Sequence, residues 1–171
     1  TYRCPTLNLH VSPQRMSNTA DISPEEARRE LARRRSVGSF AEFAREHNAG
    51  HATNLMDYEH APLLAETAGR VCRGYIDRLL VLMPPRYFKS EIFSRLLPAF
   101  HLQRYPQRSV GLSSYSASLA WDLSDSAREY CREGGRETAT DSDAKRQWAN
   151  THGGEMWAEG VGGSLAGKGY N

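Results

Sequence analysis

The sequence predicts an α/β fold in which a parallel sheet is flanked by helices. Three observations support this fold class: a stretch at residues 78–83 that is dominated by a short, continuous apolar run, a second β-rich stretch at 109–115, and helical apolar spacing between and after them. Strands that alternate with helices over short connections are typical of right-handed βαβ units, whose strands are parallel. A run that is apolar throughout also suits a strand buried on both faces of the sheet.

The composition fits a globular protein and argues against membrane insertion. The chain has 171 residues, 39% of them apolar, and a formal net charge of +2. Its longest apolar run, residues 79–83, is far shorter than the ~20 residues that cross a bilayer. The N-terminus lacks the basic, apolar and small-residue regions of a signal peptide. We therefore expect a cytoplasmic protein with no membrane partner.

Capping signals and apolar spacing set the expected order of elements. A capping box at Ser39 and Glu42 predicts a short helix, and Ser116 or Ser118 can cap another. Further helices are predicted at 25–35, 58–74 and 89–97, the last ended or kinked by Pro98, and a third strand at 155–160. Residues 134–153 are interpreted as irregular. We divide the chain into an N-terminal arm and helical segment, 1–57, and a core, 58–171.

A candidate phosphate-binding loop lies between the first predicted strand and the next helix. Residues 83–90 read MPPRYFKS. In such loops backbone N–H groups and a helix N-terminus bind phosphate, a lysine reaches the β and γ phosphates, and the next Ser or Thr holds Mg²⁺. Lys89 and Ser90 supply both side chains. The consensus G-x-x-x-x-G-K-[ST] nevertheless fails at both glycines, where Met83 and Phe88 stand.

A second string, residues 162–168, matches the first seven letters of that consensus better. Gly169 then replaces the hydroxyl residue that would bind Mg²⁺, and no helix is predicted to follow. Phosphate binding depends on a loop that is placed between a strand and the N-terminus of a helix. We therefore rank Lys89 and Ser90 above Lys168.

Four stretches follow one another along the chain: RLLVLMPPRYFKSE at 78–91, LPAF at 97–100, SSYSASLA at 113–120, and the glycine-rich residues 153–169. In this order they resemble the ATPase domain of bacteriophage terminase large subunits, which package viral DNA. The first is similar to the family's Walker A region, which often reads MPPRxGKSE, and the last to the stretch before Walker B. Together they cover roughly residues 58–171.

The resemblance implies a partial P-loop NTPase core whose full-length form hydrolyses ATP with Mg²⁺. By this resemblance Lys89 contacts the nucleotide phosphates, Ser90 coordinates Mg²⁺, and Arg86 stabilises the transferring phosphoryl group. Pro84, Pro85 and Tyr87 shape the loop. The residues expected at the nucleotide are Pro85, Arg86, Tyr87, Phe88, Lys89 and Ser90.

The same resemblance implies partners. Terminase large subunits drive double-stranded DNA through a portal protein into an empty capsid, in the cytoplasm of the bacterial host. A small terminase subunit and a homo-oligomeric ring of the full-length form are the other partners expected.

Several alternatives stay open at this point. Phe88 is either a tolerated variant whose ring points away or a cause of weakened nucleotide binding, because glycine normally lets the backbone approach phosphate closely. Tyr58 and His60 either contribute to an adenine pocket or are structural. The acidic residues of the polar stretches are interpreted as surface charges: Asp122, Asp125, Asp141 and Asp143.

The family's Walker B segment is expected just after Tyr170, and the chain stops at Asn171. We therefore expect that the 171-residue chain does not hydrolyse ATP by itself. The alternative function is a truncated, prophage-derived module that binds DNA or protein without catalysis.

Overall fold

The computed structural model describes residues 23, 38–48, 54–134 and 138–162, with the backbone alone at 139–144. Within these ranges the helices are α1 (Phe40–His47), α2 (Ala61–Cys72), α3 (Leu97–Arg104) and α4 (Ala117–Glu133). The strands are β1 (Ser109–Ser114), β2 (Thr138–Ala144), β3 (Gln147–Asn150) and β4 (Glu155–Gly160). A 3₁₀ turn, Leu55–Asp57, precedes α2, and a π-helical segment, Glu91–Leu96, runs directly into α3. None of the described helices is long and apolar enough to cross a bilayer.

The predicted caps are confirmed where the structure describes them. The Ser39 hydroxyl accepts a hydrogen bond from the backbone N–H of Glu42 at 3.5 Å and begins α1. The Ser116 hydroxyl accepts one from the N–H of Leu119 at 3.3 Å and begins α4. These side chains satisfy N–H groups that have no partner within the helix. The predicted helix at 25–35 and the lysine of the second loop string lie outside the described residues.

Pro98, which is expected to end or kink the helix after the candidate loop, does not end it, and the helix is longer than predicted. The N–H of Leu97 donates to the carbonyl of Ile92, five residues earlier, at the end of the π-helical segment. Pro98 then lies in the first turn of α3, which runs to Arg104. A proline is tolerated in a first turn because its missing N–H is not needed there.

The sheet is mixed, so the prediction of a purely parallel sheet is wrong. Its order is β1-β4-β3-β2. β1 and β4 pair in parallel, from Ser109 opposite Glu155 to Ser114 opposite Gly160, and this confirms the predicted strand at 155–160. β3 pairs antiparallel with β4, and β2 adds an irregular antiparallel strand beyond β3. A two-residue turn can join only antiparallel strands, and Lys145 and Arg146 form such a turn between β2 and β3.

The predicted first strand at 78–83 is not a strand. Leu80 and Leu82 are 80% and 82% exposed, and the segment has no ladder partner among the described residues. β1 lies at one edge of the sheet, and among the described residues no strand pairs with it on the side opposite β4. An apolar run forms a buried strand only when a neighbouring strand accepts its hydrogen bonds.

The core consists of two clusters that α3 and the π-helical segment connect. The first joins α1, the 3₁₀ turn and α2 to Ile92, Leu96 and Phe100. The second joins Leu102 to the inner face of α4 and to Trp148 and Met156 of the sheet. Of the four residues at helical apolar spacing in α4, Leu123 and Ala127 are buried, and Leu119 and Tyr130 are half-buried. The helices and the sheet are therefore held together by one continuous helical stretch.

We expect the exposed leucines to make the isolated chain self-associate, because exposed apolar patches promote association. Replacing both (Leu80→Lys with Leu82→Glu) should reduce concentration-dependent association in sedimentation velocity. The free energy of unfolding should change by less than about 0.5 kcal/mol, since both side chains are at the surface. Leu102→Ala, at a fully buried position, is the matched control and should cost about 2–5 kcal/mol. A wild-type chain that stays monomeric at high concentration would contradict this prediction.

Candidate phosphate-binding site

The candidate loop borders a cavity at the start of the buried helical stretch, which runs from Glu91 to Arg104. The cavity has a volume of about 540 Å³. Five of the six residues expected at a nucleotide line it, and Tyr87 does not. Its lining consists of Pro84, Pro85, Arg86, Phe88, Lys89, Ser90, Glu91 and Arg95. The structure therefore brings most of the predicted site residues together around one opening.

Two residues of the loop have a left-handed backbone. Arg86 has φ +68° and Phe88 has φ +58°. This region is uncommon for residues other than glycine, and occupying it costs about 1–3 kcal/mol. Phe88 stands where the phosphate-loop consensus has its second glycine. The loop thus has the backbone conformation that a glycine favours, at a position where glycine is absent.

Lys89 lies over the loop with its ammonium group close to the backbone. Its Nζ donates a hydrogen bond to the carbonyl of Met83 at 3.2 Å, and the side chain is half-buried. The ammonium group can make three hydrogen bonds in all. Lys89 therefore retains donors for a ligand in the cavity.

Glu91 and Arg95 form the far wall of the cavity. Glu91 accepts hydrogen bonds from Arg95 Nη1 and from the hydroxyl of Tyr130, both at 2.7 Å. Burial, followed by the nearby Glu91 carboxylate, raises the pKa of Tyr130, so the phenol stays protonated and donates. This wall was not predicted from the sequence, although a Glu and an Arg four residues apart form a known stabilising pair on helices.

The charge of the cavity favours an anion. Arg86, Lys89 and Arg95 contribute three positive charges against the single carboxylate of Glu91. Guanidinium groups match phosphate oxygens in geometry, and an ammonium group binds them as a point charge. The arrangement can bind a phosphate-bearing ligand.

The donor set fits Mg²⁺ only as an ion that binds together with phosphates. The described residues contain no group of three or more His, Cys, Asp or Glu side chains suited to a metal. Ser90 is exposed at the cavity and offers one hydroxyl oxygen. Mg²⁺ commonly takes few protein ligands and completes its shell with water and substrate phosphates.

An aromatic cluster lies beside the loop, and the sequence had singled out two of its members. The ring of Phe88 is 4.8 Å from that of Tyr58 and 6.4 Å from that of His60, between centroids. The ring of Tyr87, the residue before Phe88 in the loop, lies 5.2 Å from the ring of His60, between centroids. Tyr58 and Tyr87 are partly exposed. The cluster ties the loop to the start of α2.

Asp122 and Asp125 of α4 belong to an ion-pair group that lies away from the cavity lining. Lys145, in the turn between β2 and β3, lies 2.9 Å from Asp125 and 3.7 Å from Asp122. Arg128 pairs with Asp125 as well. The side chains of Asp141 and Asp143 lie outside the described ones. The group links α4 to the hairpin.

A second cavity, of about 380 Å³, lies between α2, α3 and β1 and contains a buried thiol–imidazole pair. Cys72 Sγ is 3.4 Å from His101 Nδ1. Burial raises the pKa of Cys72 to about 11. Burial, with a smaller effect of Arg108, lowers the pKa of His101 to about 4. Both the thiol and the imidazole are therefore uncharged at neutral pH, and the pair is not an activated nucleophile.

We expect His101 to make stability depend on pH between about 4 and 6.5. In that window the unfolded chain binds a proton that the folded chain does not, so stability falls as the pH decreases. The loss from pH 7 to pH 5 attributable to His101 should be about 2 kcal/mol. Urea unfolding at both pH values measures it. His101→Gln should remove this part of the dependence, whereas exposed His152→Gln should keep it, and equal slopes for the two variants would contradict the prediction.

A scan against models of protein families and searches of curated proteins and of solved structures found no significant match to this chain. What the loop does must therefore be inferred from its geometry and from the ordered motifs of the sequence.

Proposed function

We propose that this chain is the ATPase portion of a phage terminase large subunit and that its loop, residues 83–90, binds the triphosphate of ATP. One observation carries the proposal: Lys89, Arg86 and Arg95 line a single cavity at the start of the buried helical stretch, next to a left-handed Phe88. The resemblance of four ordered stretches to that family supplies the function class. The fold expected for it is a P-loop NTPase core.

Lys89 is the residue assigned to the β and γ phosphates. Its ammonium group donates to the neutral carbonyl of Met83. A charged phosphate oxygen is a stronger acceptor than a carbonyl, and hydrogen bonds between ions are about twice as strong as neutral ones. In the proposed complex Nζ therefore turns from the loop backbone to the phosphate.

Arg86 is assigned to the transferring phosphoryl group. When water attacks the γ phosphorus, the bond to the bridging oxygen breaks and negative charge builds up on the leaving diphosphate. The exposed guanidinium of Arg86, at the opening of the cavity, can neutralise that charge. Arginines in this role contribute about 10³–10⁵ in rate in other phosphate-loop enzymes.

Ser90 is assigned to the metal. Its hydroxyl would provide one oxygen ligand to Mg²⁺ that enters with the nucleotide, and the ion neutralises phosphate charge when bound. The carboxylate of Glu91 already accepts hydrogen bonds from Arg95 and Tyr130. We therefore assign the Ser90 hydroxyl, and not this carboxylate, to the ion.

The resemblance also extends the proposal to DNA translocation. The proposed partners are the portal protein, the small terminase subunit and a ring of full-length copies. The corresponding site of action is the bacterial cytoplasm.

A second candidate function is a binding module that does not hydrolyse ATP. The exposure of Leu80 and Leu82 favours it, because such an apolar patch is typical of an interaction surface. This candidate requires no nucleotide at Lys89, so a direct binding measurement separates the two functions.

Lys89→Met tests the proposed function, because it removes the ammonium group and keeps most of the aliphatic stem. Titration of the chain with Mg²⁺ and ATP, ADP or AMP should show affinity that increases with the number of phosphates. The substitution should weaken ATP binding about 10–100-fold, the value of a hydrogen bond between charged groups.

Lys145→Met is the matched control, since Lys145 pairs with Asp125 in the turn between β2 and β3. It should leave ATP affinity unchanged. Equal affinity of wild type and Lys89→Met for ATP, or AMP binding as tightly as ATP, would reject the loop as a triphosphate site and favour the second candidate.

A further inference from the structure

The conformation of Phe88 needs a physical cause, because the residue is not glycine. Its φ of +58° lies in the left-handed region, where the Cβ atom of an L-residue comes too close to the backbone. Residues persist there only when their surroundings over-determine the conformation. Local preference does not hold Phe88 in place, so tertiary contacts must.

Phe88 is held on two sides. Its carbonyl accepts a hydrogen bond at 2.9 Å from the N–H of Ile92, which is fully buried in the first core cluster. Its ring packs against Tyr58 at 4.8 Å and lies nearly parallel to His60, with 16° between the ring planes. The backbone side is thus anchored in the core and the ring side by two aromatic residues just before α2.

Arg86 shows the contrast within the same loop. Its backbone is also left-handed, and its side chain is exposed. The aromatic contacts from the start of α2 reach Phe88 and Tyr87 instead. Of the two left-handed residues, Phe88 is therefore the one whose ring contacts the residues just before α2.

We propose that Tyr58 and His60 are positioning residues for the phosphate-binding loop: their rings hold Phe88 in the left-handed conformation that a glycine would adopt unaided. The inference deepens the proposed function, on which its nucleotide-binding consequence rests. We call the rings of Tyr58 and His60 the clamp. A glycine populates both signs of φ, whereas Phe88, held by the clamp, is confined to one. A loop held in its binding conformation loses less conformational freedom when the ligand binds.

A purely structural role of the same rings makes a different prediction. Phe88→Gly and Phe88→Ala both remove the ring, but only glycine adopts a positive φ without strain. Because φ at position 88 is positive, alanine is strained there under either role, so a purely structural role is recognised instead by a His60→Ala effect that is equally large at an amide far from the loop. If the rings position the loop, glycine restores its conformation and alanine does not.

Amide hydrogen exchange of the full chain without nucleotide tests the clamp directly. The Ile92 amide is the probe, since it donates to Phe88. His60→Ala should speed its exchange about tenfold, the effect of losing one aromatic contact. In a Phe88→Gly background the same substitution should change exchange by less than about twofold. Phe88→Ala should exchange faster than Phe88→Gly.

Two controls separate positioning from general destabilisation. His60→Phe keeps the ring and should exchange like wild type, because His60 Nε2 has no hydrogen-bond partner among the described residues. The Ala120 amide, which donates to the Ser116 carbonyl at 3.1 Å in the first turn of α4, should be unaffected by every variant. Phe88→Asn replaces Phe88→Gly if the latter does not fold, since asparagine also tolerates the left-handed region.

The clamp is overturned if His60→Ala acts equally in both backgrounds, or if Phe88→Gly and Phe88→Ala exchange at the same rate. Titration of the same variants with Mg²⁺ and ATP separates the two proposals. Exchange coupling without ATP binding would reject the proposed function and leave the clamp. ATP binding without exchange coupling would reject the clamp alone.

Discussion

Burial of the helical stretch from Glu91 to Arg104 is the constraint on which the rest of the structure depends. Ile92, Leu96 and Phe100 contribute to the cluster under α1 and α2, and Leu102 contributes to the cluster between α4 and the sheet. Because one continuous stretch enters both clusters, the helical part and the sheet cannot move apart without opening the core. The N-terminal end of that stretch is therefore fixed, and the loop before it begins from a rigid support.

The candidate site combines this rigid support with contacts from distant parts of the chain. Tyr130 of α4 donates to Glu91 in the cavity wall, and Tyr58 and His60 contact Phe88 from the start of α2. α4 also packs against β1 and β4. A ligand that displaced Glu91 or the loop would therefore act on α4 and, through it, on the sheet.

The sequence predicts the elements that local signals define, and it fails where distant partners decide. Ser39 and Ser116 cap helices through bonds three residues away, so both caps could be predicted. The run at 78–83 has strand composition, but a strand also needs a neighbour, and no sequence pattern supplies one. The hairpin of β2 and β3 was missed because its strands are short and polar, and its anchor is the buried bond from Trp148 Nε1 to the Ser124 hydroxyl.

The candidate site shows the same division. Lys89 and Ser90 follow from the spacing of a loop and a helix, and Arg86 follows from the family resemblance. Tyr130, by contrast, is 39 positions from its partner Glu91 and has no local signal. The roles assigned to these residues in ATP binding stay predictions. Their placement around one cavity depends on the fold and not on the glycines of the consensus.

The absence of those glycines has a physical reading. A consensus glycine encodes a backbone conformation, and the conformation is what phosphate binding requires. At Phe88 this chain keeps the left-handed backbone with a residue that disfavours it, and aromatic neighbours compensate. At Met83, the other consensus glycine, the backbone is not left-handed, and the carbonyl instead accepts the Lys89 ammonium group. By sequence alone, this loop lacks both consensus glycines. In the structure, Phe88 nevertheless has a left-handed backbone, and the Met83 carbonyl serves as a hydrogen-bond acceptor.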